Sequence, residues 1–148
     1  MIIGMAPLVD LSIDSVLARG LPNQERVVVR ATMDSYTANV GLMLGYRDGS
    51  GEYVPIADRL FWLGPSWLLA GSVMNIYTGM GQNMSFPVGN GTTSHSLFWN
   101  MPYVAFDQPE IEPILFRLGE ASVGQSNIHT TKAIPGPQMA LPKSLGQL

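Results

Sequence analysis

Ser94-His95-Ser96 sets two hydroxyls beside an imidazole, the residue types of a nucleophile and its general base. A β-prone stretch surrounds them, Ser94 to Trp99. Neighbouring side chains of a strand point to opposite faces, so neither serine would share a face with His95, and a sheet-face histidine is the better reading. Asp48-Gly49-Ser50-Gly51-Glu52 alternates oxygen-bearing side chains as a weak calcium loop would. It is too short for an EF-hand loop, and a tight turn already accounts for its glycines. Asp107, Glu110 and Glu112 could supply the two carboxylates of a glycosidase. Between Pro109 and Pro113 they fall on a solvated turn, with nothing to raise a pKa.

Glycine-rich and glycosylation-type patterns fare no better. Gly79, Gly81, Gly89 and Gly91 are not followed by Lys-Ser/Thr or by a helix start, so they make no phosphate cradle. Asn83-Met84-Ser85 and Asn90-Gly91-Thr92 fit the N-glycosylation pattern, but no secretory leader is recognised: Met1 to Met5 is apolar without a preceding basic residue. The chain has no cysteine, which excludes disulfides and thiolate zinc sites. Neither a cofactor site nor an enzyme is expected. Trp62, Trp67 and Trp99, with Tyr53, Tyr77 and Tyr103, are many large rings for a small domain. Most should fill a core; a subset on one exposed face would make a protein-binding hot spot or a sugar-stacking platform.

The elements that carry these residues read as β-structure. Val40 to Ile56 is the clearest: two β-prone runs joined by Asp48-Gly49 and a second glycine read as a hairpin. Arg26 to Asp34 opens the core with Val27-Val28-Val29, Asp34 to Thr37 reads as a turn, and Ala57 to Leu63 continues the sheet. Trp67 to Thr78 fits a strand better than a helix, because Gly71, Ser72, Asn75 and Thr78 weaken helices. Gly79 to Thr92 reads as a long binding loop. Met101 to Phe106 reads as a short strand, and Ile111 to Leu118 as a last strand with Pro113 at an edge.

Both ends read as arms. In residues 1–25, Pro7 breaks an apolar segment, and Asp10 to Gly20 reads as a short helix docking by Ile13, Val16 and Leu17, with Leu21 to Glu25 as linker. Residues 119–148 hold Pro135, Pro137 and Pro142 and show no periodicity, yet are dotted with Ile128, Ile134, Met139, Leu141, Leu145 and Leu148. The expected fold is therefore mainly β: an antiparallel β-sandwich or flattened barrel of about seven strands over residues 26–118, between an N-terminal arm with its helix and an extended C-terminal arm.

Composition narrows the function. Of 148 residues, 13% are charged, against about 25% in an ordinary soluble domain, and 46% are hydrophobic. Mean hydropathy is +0.16. So weakly charged a surface points to coverage by other chains. A net charge of -3 and a pI near 5.2 oppose nucleic-acid binding. Leu60 to Tyr77 is interrupted by Gly64, Gly71 and Asn75 and falls short of the roughly 20 apolar residues of a membrane helix.

A small β-domain with few charges, no active-site constellation and two apolar-dotted arms resembles the virion structural proteins of tailed bacteriophages, closest to capsid cement and decoration proteins. The resemblance is one of layout and carries over no residue role. It implies a non-enzymatic protein, made in the host cytoplasm, that clamps the major capsid protein or other virion subunits, with self-association as a trimer favoured. It implies no cofactor, nucleic acid, membrane or small-molecule substrate. Partner contacts are expected at Ile2, Leu8, Ile134, Met139, Leu141 and Leu145, and deleting Ala133 to Leu148 should leave a folded core that assembles weakly. A neck or tail ring component and a carbohydrate-binding β-sandwich module are the alternatives.

Overall fold

A computed structural model describes residues 6–124 of the chain. Ten strands follow in order: β1 Leu11–Leu17, β2 Arg26–Ala31, β3 Ser35–Tyr36, β4 Val40–Arg47, β5 Tyr53–Trp62, β6 Trp67–Leu68, β7 Val73–Tyr77, β8 Met84–Gly89, β9 Thr92–Phe98 and β10 Ile111–Arg117. They form a five-stranded sheet, β1-β2-β7-β9-β8, a three-stranded sheet, β10-β4-β5, and a two-stranded ribbon, β3-β6. The chain is mainly β, as expected, with no closed barrel. The two larger sheets contribute their inward residues to one core, among them Leu11, Val27, Val29, Leu42, Met74 and Ile76.

The expected hairpin is present: β4 pairs with β5, and β10 pairs with the other side of β4. Pro113 lies on β10, an edge strand, where a missing ladder donor is tolerated. The β7–β9 pair is parallel, so the larger sheet is mixed rather than antiparallel. The chain reaches that arrangement by passing from β7 to the outermost position, β8, and returning as β9 between them. Gly81 makes the crossing possible. A Cβ there would meet the Phe98 ring at 2.5 Å, so a glycine backbone is what fits over the aromatic.

Four local expectations are corrected. No helix forms over Asp10 to Gly20; Leu11–Leu17 is strand β1, paired with β2. A bulge between Ile13 and Ser15 shifts the phase, so Leu11, Ile13 and Val16 turn to the core at spacings of two and then three. That interval mimics a helical face. The stretch from Gly79 to Thr92 is not one long loop, because Met84–Gly89 pairs with β9. Its two-residue connection, Asn90 at φ 53° and Gly91 at φ 80°, has the left-handed dihedrals of a hairpin turn. Met101 to Phe106 makes no strand. Finally, the expected turn at Asp34 to Thr37 contains β3, which pairs with β6.

The Leu21 to Glu25 linker ends in a buried anchor. The Glu25 carboxylate is 1% exposed and accepts four hydrogen bonds: from the amides of Gly20, Ala105 and Phe106 at 2.8, 2.8 and 2.9 Å, and from Thr78 Oγ1 at 2.6 Å. One side chain thus joins the turn after β1, the end of β7 and the segment before β10. The bonds satisfy a buried charge that would otherwise be costly.

Candidate interaction surfaces

The residues that could do chemistry are dispersed and engaged elsewhere. His95 lies on the core-facing side of β9 with its Nε2 2.8 Å from Thr93 Oγ1, and burial holds its pKa below the ordinary 6.5. Ser94 and Ser96 lie on the opposite side, as strand alternation requires. Asp48 Oδ1 accepts from Ser50 N, Ser50 Oγ and Glu52 N, at 2.8, 2.6 and 3.2 Å. Those bonds lower its pKa, with the Ser50 hydroxyl contributing most, and turn the acidic loop into a self-capped turn. Glu112 forms an ion pair with Arg19. Among the described residues no group of three His, Cys, Asp or Glu could hold a metal ion.

The three tryptophans go to three places. Trp99 packs against Phe61 at 5.6 Å, on the core side. Trp67, 73% exposed, sits 4.9 Å from Tyr36 on the β3-β6 ribbon. Trp62 stands edge-on to Phe116 at 5.6 Å, on the outer face of the three-stranded sheet. They do not combine into one aromatic platform.

That outer face is the first surface of interest. Leu42 and Leu44 of β4 turn inward, so Gly41, Met43 and Gly45 turn outward. Registers place Trp62 and Phe116 on either side of Gly41, and Leu60 and Ile114 on either side of Met43. The Phe116 ring lies where a Cβ of residue 41 would be, at 2.5 Å, and Ile114 covers Gly45 in the same way. The result is a smooth apolar face. Leu60 and Trp62 are 48% and 45% exposed, and among the described residues nothing covers them. The outward face of a sheet in a free-standing sandwich alternates to polar residues; this one does so only towards the β4–β5 hairpin end, where Glu112 flanks Gly45 and Arg47 follows in the same row, and is apolar from Met43 to Trp62 and Phe116.

The second surface is β8. All six of its residues are exposed, on both faces of this outermost strand of the larger sheet. Met84 and Phe86 share the outer face with Phe98 and Tyr77, whose rings stack at 5.0 Å and 15°. Met80 and Val88, also exposed, enlarge the patch.

Charge is scarce at both surfaces. From Leu60 to Phe106, a span that includes β6 to β9, the chain contains no Asp, Glu, Lys or Arg. Arg19, Arg30, Arg59 and Arg117 are engaged with Glu112, Asp14, Asp58 and Asp10. The uncharged span and the unbroken apolar runs Leu60-Phe61-Trp62-Leu63 and Ile114-Leu115-Phe116 are the sequence signals of these surfaces. Continuous rather than alternating hydrophobicity marks a strand covered on both faces.

Of the expected contact residues, Leu8 is half-buried against the domain's own core. Ile2, Ile134, Met139, Leu141 and Leu145 lie outside the described residues. No family model, no curated protein and no solved structure matches the chain.

Proposed function

We propose that the chain is a non-enzymatic structural subunit that cements or decorates the capsid of a tailed bacteriophage. It would clamp neighbouring virion subunits through its β-domain and the segments flanking it. A clamp needs two separate contact surfaces. What carries the reading is that the domain has two exposed apolar ones, around Leu60 and Trp62 on the outer face of β10-β4-β5 and on the edge strand β8, on different sheets. Apolar area of this kind contributes roughly 25 cal/mol per Å² once a partner covers it, and without a partner it is an aggregation liability. The same weak charge that leaves a lone molecule poorly soluble suits a particle component whose surface is shared with neighbours.

Two measurements test this. Peptides of the chain should be found by mass spectrometry in gradient-purified tailed-phage particles from its source, and the purified chain should co-sediment with them. Phe86→Glu on β8 should weaken that co-sedimentation at least about tenfold, by burying a charge without a counter-ion. Absence of the chain from the particles, or particle binding indifferent to Phe86→Glu and to Leu60→Glu alike, overturns the reading.

A further inference from the structure

The outermost strands of the two larger sheets, β1, β8, β10 and β5, each leave a row of backbone groups without a ladder partner. Such rows are templates on which another chain can add a strand. We propose that prolines and bulges close these edges, so that the domain meets copies of itself and other proteins through side chains on its sheet faces and not by strand addition. Register decides which way each proline nitrogen points. Leu118 N donates to Asn39 O and Arg47 N to Glu110 O, so the even-numbered residues of β10 bond to β4 and Pro113 faces outward. Asp48 N donates to Glu52 O, which by the same alternation makes Tyr46 and Val54 a bonded pair and turns the Pro55 nitrogen of β5 outward. Trp99 N donates to Tyr77 O across the parallel pair, so Ser94 and Ser96 of β9 bond to the other side, opposite Phe86 and Met84 of β8. The Pro87 nitrogen therefore also points away from its sheet.

Among the described residues these are the three prolines that lie in strands, and each stands where an incoming strand would need a donor. Bulges interrupt what remains. The β4–β5 register shifts between Met43 and Gly45, beside Pro55, and the β8–β9 register shifts between Pro87 and Gly89. β1, the edge without a proline, is bulged between Ile13 and Ser15. On β10, Arg19 Nη1 occupies the outward carbonyl of Ile111 at 3.1 Å. Steric tolerance explains why a strand proline sits at an edge; it does not explain why every edge is interrupted. β8 needs its block most: Met84-Ser85-Phe86-Pro87-Val88 is exposed and uncharged, and without the proline it would have the composition of a strand that recruits copies of itself. The inference concerns the backbone and holds for any partner, in a virion or outside one.

Two measurements on the full chain decide. Amide exchange by NMR at submillimolar concentration reads the wild-type edges directly. Ser85 and Leu60, whose N–H groups point outward, should exchange within about tenfold of an unstructured chain, and Phe86 and Phe61, bonded to β9 and β4, at least about a hundredfold more slowly. Protection of Ser85 or Leu60 equal to that of its bonded neighbour would mean that another strand pairs there, and overturns the proposal. Pro87→Thr restores the missing donor on β8. It should form thioflavin-T-positive assemblies under conditions in which the wild type forms none, with Ser85 newly protected. Ser85→Thr adds the same β-branched side chain to the same face of β8 without adding a donor, and should behave as the wild type. Far-UV circular dichroism verifies that both variants keep their strands, and the wild-type exchange result stands without either. A Pro87→Thr chain that assembles no faster than the wild type, or a Ser85→Thr chain that assembles as fast as Pro87→Thr, overturns the proposal. Neither readout uses phage particles, so this proposal and the virion role can each fail without the other.

Discussion

Both carboxylate oxygens of Asp10 accept hydrogen bonds from the Arg117 guanidinium, at 2.9 and 2.8 Å, tying the start of β1 to the end of β10. At the other end of the same two strands, Arg19 pairs with Glu112 and donates to the Ile111 carbonyl at 3.1 Å. β1 and β10 are edges of different sheets, running antiparallel and held by an ion pair at each end. Beside the Arg19–Glu112 pair lies a groove of about 420 Å³, lined by both of those residues and by Ile13, Val16, Pro113 and Ile114 among others. Along this side the two sheets are joined by charge rather than by ladder hydrogen bonds.

Stability should consequently fall in acid, in two stages. Burial depresses the His95 pKa below its ordinary 6.5, so the unfolded chain binds the proton more readily and folding loses stability as pH falls below that value. Hydrogen bonds from Arg117 depress the Asp10 pKa below 3.8, so its contribution is complete above that pH and is lost as pH falls further through the folded-state value. Urea midpoints measured from pH 8 to pH 2.5 should show both stages. His95→Gln should remove the upper one and Arg117→Ala should flatten the lower one.

Glu25→Gln should destabilise the fold by about 3–5 kcal/mol. An amide cannot accept on both sides, so at least one of the Gly20, Ala105 and Phe106 amides would face an NH2 group. Urea denaturation measures the loss. A loss below about 1 kcal/mol would mean that the carboxylate is not the anchor its four bonds make it.

Gly41→Val should cost about 1–3 kcal/mol, because its side chain needs the space occupied by the Phe116 ring. The ring would swing away from Trp62, and the near-UV circular dichroism of that pair should weaken. Gly49→Val, at the tip of the β4–β5 hairpin where nothing lies within 4 Å of a Cβ, is the control and should change the melting temperature little.

Gly91→Ala should cost about 1 kcal/mol or more, since residue 91 holds φ at 80° and its Cβ would approach Leu69 Cδ1 at 2.6 Å. Hydrogen exchange should accelerate first in the β8–β9 hairpin. An unaltered exchange pattern would show that the turn does not fix the register of β8.

The central hairpin, the Val27-Val28-Val29 strand, the opposed faces of His95 and Ser94, and the edge position of Pro113 were all legible in the sequence, because turn glycines, β-branching and alternation act within a few residues. The uncharged span from Leu60 to Phe106 and the Asn90-Gly91 turn signal were there too, although Pro87 and the surrounding glycines disguised the strand beside that turn. Tertiary structure alone decided the rest. Strand β1 reads as a helix until its bulge is set against β2, and Glu25 is a linker residue until distant backbone amides converge on it. Whether Leu60, Trp62, Ile114 and Phe116 point into a core or out of one likewise depends on which strands pair and in what register. Local chemistry determines that a segment is a strand; which of its faces meets water is determined by contacts made across the whole chain.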